Sequence, residues 1–177
     1  MTDKRPPIDG GGGPWVHRVP AGDDRERRVC ETCDFVDYRN PKVVVGAVCW
    51  HGDRILLAKR AIEPRLGYWT IPAGFLEERE SMAEGAAREV MEEARAEIEI
   101  ESLLGFYEIP RISQIYVIYR ARMVGDGHGP GPESLETALV HPADIPWAEL
   151  AFPSVRWGLE NAARDPTLPP LMAIHEG

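Results

Sequence analysis

Residues 74–97 read GFLEERESMAEGAAREVMEEARAE, and the chain's reading turns on whether Glu89, Glu92 and Glu93 form a solvated helix face or a set of ligands. Ser81 is a good N-cap, and Glu84 three residues on completes a capping box, in which each side chain satisfies the other's free backbone N–H. The spacing therefore predicts a helix from Met82 to Ala94. At about 100° per residue, Glu93 falls about 40° to one side of Glu89 and Glu92 about 60° to the other, so the three carboxylates share one patch. Ala83, Ala86, Ala87, Val90 and Ala94 form the adjoining stripe, the face expected to pack on a sheet. The carboxylates thus border the core rather than oppose it. Gly85 lies one turn before Glu89 on the carboxylate side, although glycine inside a helix costs about 1 kcal/mol relative to alanine. Its missing side chain is expected to let another backbone or a ligand approach closely. Periodicity alone leaves an ordinary Glu-rich surface open, with Glu84 and Arg88 as a routine i, i+4 pair.

The rest of the chain narrows the choice. Its 177 residues suffice for one domain with a sizeable core, plus tails. Twenty Lys and Arg against 29 Asp and Glu give a net charge of -9, a field that repels phosphate backbones and anionic lipid heads. Nucleic acid and membranes are therefore not expected partners, and a small polyanionic substrate would need local cations, either side chains or bound metal. The opening MTDKRPPIDGGGGP has no apolar core of the kind a secretory signal needs, and no run long enough to cross a bilayer appears, so the cytoplasm is the expected compartment. Cys30 and Cys33 form a C-x-x-C pair, while Cys49 sits in the apolar run VVVGAVCW and reads as a small buried hydrophobe. No disulfide framework is indicated.

Residues 1–14, rich in Gly and Pro, read as a flexible leader, and 15–41 as an N-terminal segment. KVVVGAVCW and RILLAKR flank a Gly52-Asp53 turn and read as paired strands. GYWTIPAGFLEERE reads as a short strand entering an ordered loop. EIEIESLLGFYEI and SQIYVIYRARMV resume strand alternation, with Ile115, Val117, Tyr119, Ala121 and Met123 on one face. GDGHGPGP, residues 125–132, is expected to be a surface loop; SLETALVH reads as a strand, and PSVRWGLENAAR as a closing helix with Pro153 in its first turn. The tail is 165–177.

Gly74, Glu80, Arg88 and Glu89 fall in the pattern G-x5-E-x7-R-E-V-M-E-E-A. This resembles the Nudix box, G-x5-E-x7-R-E-U-x-E-E-x-G-U with U aliphatic, over most of its positions. YRNPKVVVGAV, LLAKR, GYWTIPAGFLE, ISQIYVIYRARM and DIPWAELAFPSV resemble runs of Nudix hydrolases that cleave ADP-ribose or FAD, and the resemblance covers about residues 28–160. It implies an α/β fold of the mixed-sheet, α+β kind, with the sheet between helices and a loop-helix-loop catalytic box, over residues 42–164. It implies Mg2+, or Mn2+, held by Glu89, Glu92, Glu93 and the Gly74 carbonyl, with Glu80 and Arg88 tying the loop to the helix and orienting Glu89. A hard cation with oxygen ligands suits a pyrophosphate, whose clustered charge must be neutralised before water attacks phosphorus. The general base is a box glutamate or a later one, Glu133 or Glu136, of which Glu136 is taken as the catalytic candidate. Arg60 and Arg65 are candidates for the phosphates, and Phe106, Tyr107 or Tyr116 for stacking on a base, with Tyr116 preferred. The expected substrate is ADP-ribose or FAD, and the expected assembly a homodimer.

The sequence departs from the family in places. Arg95 stands where the family has a helix-ending glycine, and Arg79 where a glycine often precedes the glutamate; both threaten the comfort of a turn more than the chemistry. Relatives with a YRNPK-like stretch often carry an upstream zinc ribbon of two C-x-x-C knuckles. Here only CETC is present, with His17 upstream, so zinc at Cys30 and Cys33 is not expected. The retained glutamates favour an enzyme over a nucleotide-binding sensor, and the charge argues against a zinc-knuckle nucleic-acid module.

Overall fold

The computed structural model describes residues 14–165 and 167–174. The chain divides into two compact units, residues 1–40 and 41–177, where the sequence suggested one domain with tails. The expected leader lies outside the described residues except for Pro14. The first unit is a small antiparallel sheet, β1 (Trp15–Arg18), β2 (Arg27–Cys30) and β3 (Val36–Asp37), which the sequence reading left without elements. Trp15 meets Phe35 edge-on, with centroids 6.4 Å apart, and the Arg28 guanidinium lies 4.4 Å over the Trp15 ring.

The second unit runs β4 (Lys42–His51), β5 (Arg54–Arg60), β6 (Trp69–Thr70), β7 (Ala73–Phe75), α1 (Met82–Ala94), β8 (Ile98–Ile109), β9 (Gln114–Met123), β10 (Ser134–Val140), α2 (Pro153–Ala162) and β11 (Leu171–Ile174). The sheet order is β10-β5-β4-β9-β8-β11, with β6 on β5 and β7 on β4. It is mixed: β4 pairs β9 in parallel and β5 antiparallel. The stretch read as a C-terminal tail contains β11, which adds in parallel to the edge of β8.

Strand alternation distributes the core to two layers. Ala47 and Cys49 of β4 face Val90 and Ala94 of α1, and Val45 faces Ala86. Val48, between them, packs on the opposite side with Val155, Leu159 and Ala162 of α2. The sheet is therefore covered by one helix on each face, the α+β arrangement expected. Burial of Cys49 pushes its thiol up to about 12, so it serves as a hydrophobe and not as a nucleophile. Among the described residues no helix is long and apolar enough to cross a membrane.

Candidate active site

Helix α1 begins and ends as its sequence directs. The Glu84 N–H donates to Ser81 Oγ at 3.3 Å and the Ser81 N–H to Glu84 Oε2 at 2.8 Å, closing the capping box. Glu84 is thereby committed to Ser81, and Arg88 pairs with Glu80, Glu89 and Glu92 rather than with Glu84 as an ordinary surface helix would have it. Arg79 (φ 70°) and Arg95 (φ 52°) both occupy the left-handed region where the family's glycines are expected. Residues 125–132 are more than a surface loop. The Gly129 N–H donates to the Ala94 carbonyl at 2.9 Å and the Gly131 N–H to the Glu93 carbonyl at 3.0 Å, satisfying the open end of α1. A Cβ on Gly131 would lie 1.7 Å from the Glu92 carbonyl oxygen, so only glycine can make that approach.

Arg88 organises the box. It donates Nε and Nη2 to the two oxygens of Glu80, at 3.0 and 2.7 Å, Nη1 to Glu89 at 2.7 Å and to Glu92 at 3.0 Å, and Nη2 to the Phe75 carbonyl at 3.0 Å. Glu80 also accepts the Glu77 N–H at 2.6 Å, and these donors, Arg88 first, hold its carboxyl down at about 2. What approaches Gly85 is this machinery: a Cβ there would stand 2.7 Å from Glu80 Oε1 and 3.0 Å from Leu76 and Val45. The glycine makes room for the tie between loop and helix.

Glu89 and Glu93 are each only 8% exposed. Burial raises the Glu89 carboxyl, against the pull of Arg88, and pushes Glu93 up to about 7 although it accepts the Ala73 N–H at 3.0 Å. On the loop side, a Cβ on Gly74 would come within 2.4 Å of the Glu89 carboxylate. Two buried carboxylates with raised pKa, and a third bridged to one of them by a guanidinium, are oxygen donors short of positive charge. Among the described residues no metal cage is drawn together, and Arg88 supplies the cation on Glu89 and Glu92. The set fits a hard divalent cation. The N-terminal unit does not fit structural zinc: between residues 11 and 39 the soft ligands are Cys30, Cys33 and His17 alone, and His17 sits across from Arg28 in the β1–β2 ladder.

Glu89, Glu92, Glu93, Arg88 and Gly74 line a cleft of about 830 Å³. Of the other expected residues, Arg60 and Tyr116 line it. Arg65 does not; it is exposed, with its guanidinium 5.2 Å over the Tyr68 ring. Glu136 also stands apart, 3.7 Å from Lys59 across the β10–β5 ladder, and Glu133 lines the cleft in its place. Tyr107 is fully buried and its hydroxyl meets the Trp157 carbonyl and Asn161, so it is core, as is Phe106 on the α1 side of the sheet. The sequence reading missed Phe152 and Ser154, at the start of α2, Gln114, and the cleft position of Arg95. The Arg60 guanidinium lies 5.1 Å over the Phe152 ring, and the Tyr116 hydroxyl donates to Gln114 Oε1 at 3.0 Å. The cleft thus brings carboxylates together with an aromatic ring, an amide and guanidinium groups, a lining that can take a charged group and a flat ring together.

A family model described as NUDIX domain matches residues 40–158, and one described as Nudix N-terminal, a zinc-ribbon family, matches residues 11–39. The crystal structure of a NUDIX hydrolase from Nitrosomonas europaea superposes with a TM-score of 0.87 at 40% identity, covering 94% of this chain and 97% of that one. An ADP-ribose pyrophosphatase of Methanocaldococcus jannaschii is 29% identical over 133 residues, 71% of this chain and 78% of the relative. The NUDIX domain of Shewanella oneidensis NrtR, solved with ADP-ribose, superposes with a TM-score of 0.58 at 25% identity over 71% of this chain and 88% of that one.

Proposed function

The chain belongs to the Nudix family, whose hydrolases act on pyrophosphate bonds, and on that basis we propose that it cleaves the pyrophosphate of a nucleoside diphosphate derivative, ADP-ribose first and FAD second, with Mg2+. The observation that carries this reading is the grouping of Glu89, Glu92 and Glu93 with the Gly74 backbone along one wall of the cleft, in line with Arg88 and Glu80. The names of the relatives support ADP-ribose; FAD rests on the sequence resemblance alone.

Glu89, Glu92, Glu93 and the Gly74 carbonyl would hold the metal, which when bound supplies positive charge to the pyrophosphate and makes water a stronger nucleophile. The protein's own share is positional. Glu80 holds Arg88, and Arg88 holds Glu89 in place, so that the carboxylate does not have to be ordered when substrate arrives. Glu133 lines the cleft near the box, since its charge is felt by both Glu89 and Glu93, and in this reading it would take the proton of the attacking water. Phe152 and Gln114 offer a ring face and an amide to the nucleoside. Gly74 and Gly131 let the backbone come close to the acidic wall on either side.

The test is phosphate release, after phosphatase treatment, from ADP-ribose, FAD, NADH, CoA and deoxynucleoside triphosphates with and without Mg2+. Selective Mg2+-dependent release from ADP-ribose or FAD supports the proposal; cleavage confined to triphosphates, or none by the folded protein, contradicts it.

A further inference from the structure

Among the described residues three arginines line the cleft, and their commitments differ. The Arg88 guanidinium is taken up by Glu80, Glu89, Glu92 and the Phe75 carbonyl. Arg60 donates Nε to the Pro64 carbonyl at 2.9 Å and stacks on Phe152. The side chain of Arg95 has no hydrogen-bond, ion-pair or ring partner among the described residues, although Glu77, Glu89, Glu92, Glu93 and Glu133 line the same cleft. Its backbone is at φ 52° and ψ 26°, a left-handed conformation that costs an ordinary residue about 1 kcal/mol and that glycine adopts freely. A strained residue that also faces a site and pairs with nothing has a side chain worth explaining.

We propose that Arg95 binds a phosphoryl group of the substrate at the end of the cleft where α1 finishes. This rests on reading the cleft as a pyrophosphate hydrolase site. The chemistry follows from charge: the protein carries -9 overall, its cleft is lined by more carboxylates than guanidinium groups, and a polyanion entering it needs a cation not already neutralised. A guanidinium fork matches two phosphoryl oxygens. A purely structural alternative exists, since a cation at a helix C-terminus also interacts favourably with the helix dipole. The two roles separate cleanly, because the dipole acts on folding and the phosphoryl contact on binding.

The experiment compares Arg95→Lys, Arg95→Asn and Arg95→Gly with wild type, in KM and kcat for the substrate the wild type cleaves, at two ionic strengths, together with thermal melting. Asparagine tolerates the left-handed backbone without the charge, and lysine keeps the charge. The Asn and Gly variants are expected to raise KM about tenfold, the loss of one hydrogen-bonded charge, and to weaken its salt dependence. Lysine is expected to restore part of the loss, and the Gly variant to melt no lower than wild type. KM within twofold of wild type for both Asn and Gly, or Lys no better than Asn, overturns the assignment. A wild-type protein that cleaves no pyrophosphate substrate overturns instead the reading of the cleft on which this inference stands.

Discussion

Glu80 and Arg88, eight residues apart, meet through two hydrogen bonds of 2.7 and 3.0 Å, and the same guanidinium reaches on to Glu89 at 2.7 Å. The pair links the loop after β7 to the helix that carries the acidic wall. An exposed pair contributes little, but this one is mostly shielded, at 16% side-chain exposure for Glu80 and 28% for Arg88, and joins a network. Glu80→Gln is expected to lower kcat by about 10- to 100-fold with a small effect on KM, since it disturbs what orients Glu89 and removes no metal ligand. Steady-state kinetics check this; unchanged kcat would make the pair ornamental.

Gly85→Ala tests why a glycine interrupts α1. Alanine gains about 1 kcal/mol in helix propensity, yet its Cβ meets Glu80, Leu76 and Val45 at 2.7 to 3.0 Å, and overpacking of that kind costs about 1–3 kcal/mol. Urea unfolding should show a net loss of about 1 kcal/mol, with reduced activity from the displaced Glu80. A more stable variant would mean the neighbours give way easily.

Glu93 sets a pH dependence in the metal-free protein. Its carboxyl is raised from an ordinary value near 4.5 to about 7 by burial. Between those values the folded chain keeps a proton that the unfolded chain has released, so stability falls as pH rises through this window, by about 3 kcal/mol at most from this group. Glu89, also raised, acts in the same direction. Glu80 acts oppositely, but only below about pH 4.5, where its lowered carboxyl begins to lose its benefit. Urea midpoints in chelator from pH 5 to 8 should decline, and Glu93→Gln should flatten the decline.

Glu133 and Glu136 should separate. Glu133→Gln is expected to reduce kcat by about 100-fold and Glu136→Gln to leave it within about twofold, because only Glu133 lines the cleft. The reverse order in a kinetic comparison would place the base elsewhere.

That last distinction was closed to the sequence. The β10–β5 ladder shifts register between Ser134 and Glu136, and this bulge leaves Glu136 beside Lys59 while Glu133 lies before the strand at the cleft. Alternation cannot report a bulge. Likewise Phe152 reaches the cleft from the start of α2, far in sequence from Gln114 and Tyr116 of β9, and only the folded sheet brings it beside them. The start of the helix Met82–Ala94 was legible because its capping box is local chemistry, and its end followed from the periodicity, whereas the left-handed Arg95 that closes it carries no glycine signal. The long strands were legible from alternation. β1 to β3 were not, being four residues or fewer and only partly apolar.

The central claim is that the glutamates of α1 serve a metal-dependent cleavage of pyrophosphate. Its most direct test is the initial rate of ADP-ribose hydrolysis by wild type and Glu93→Gln, each with Mg2+ and with chelator, beside their urea midpoints. The account predicts Mg2+-dependent turnover in wild type alone, with the variant folded and no less stable by more than about 1 kcal/mol. Equal turnover in the folded variant, or wild-type turnover indifferent to chelator, would contradict it.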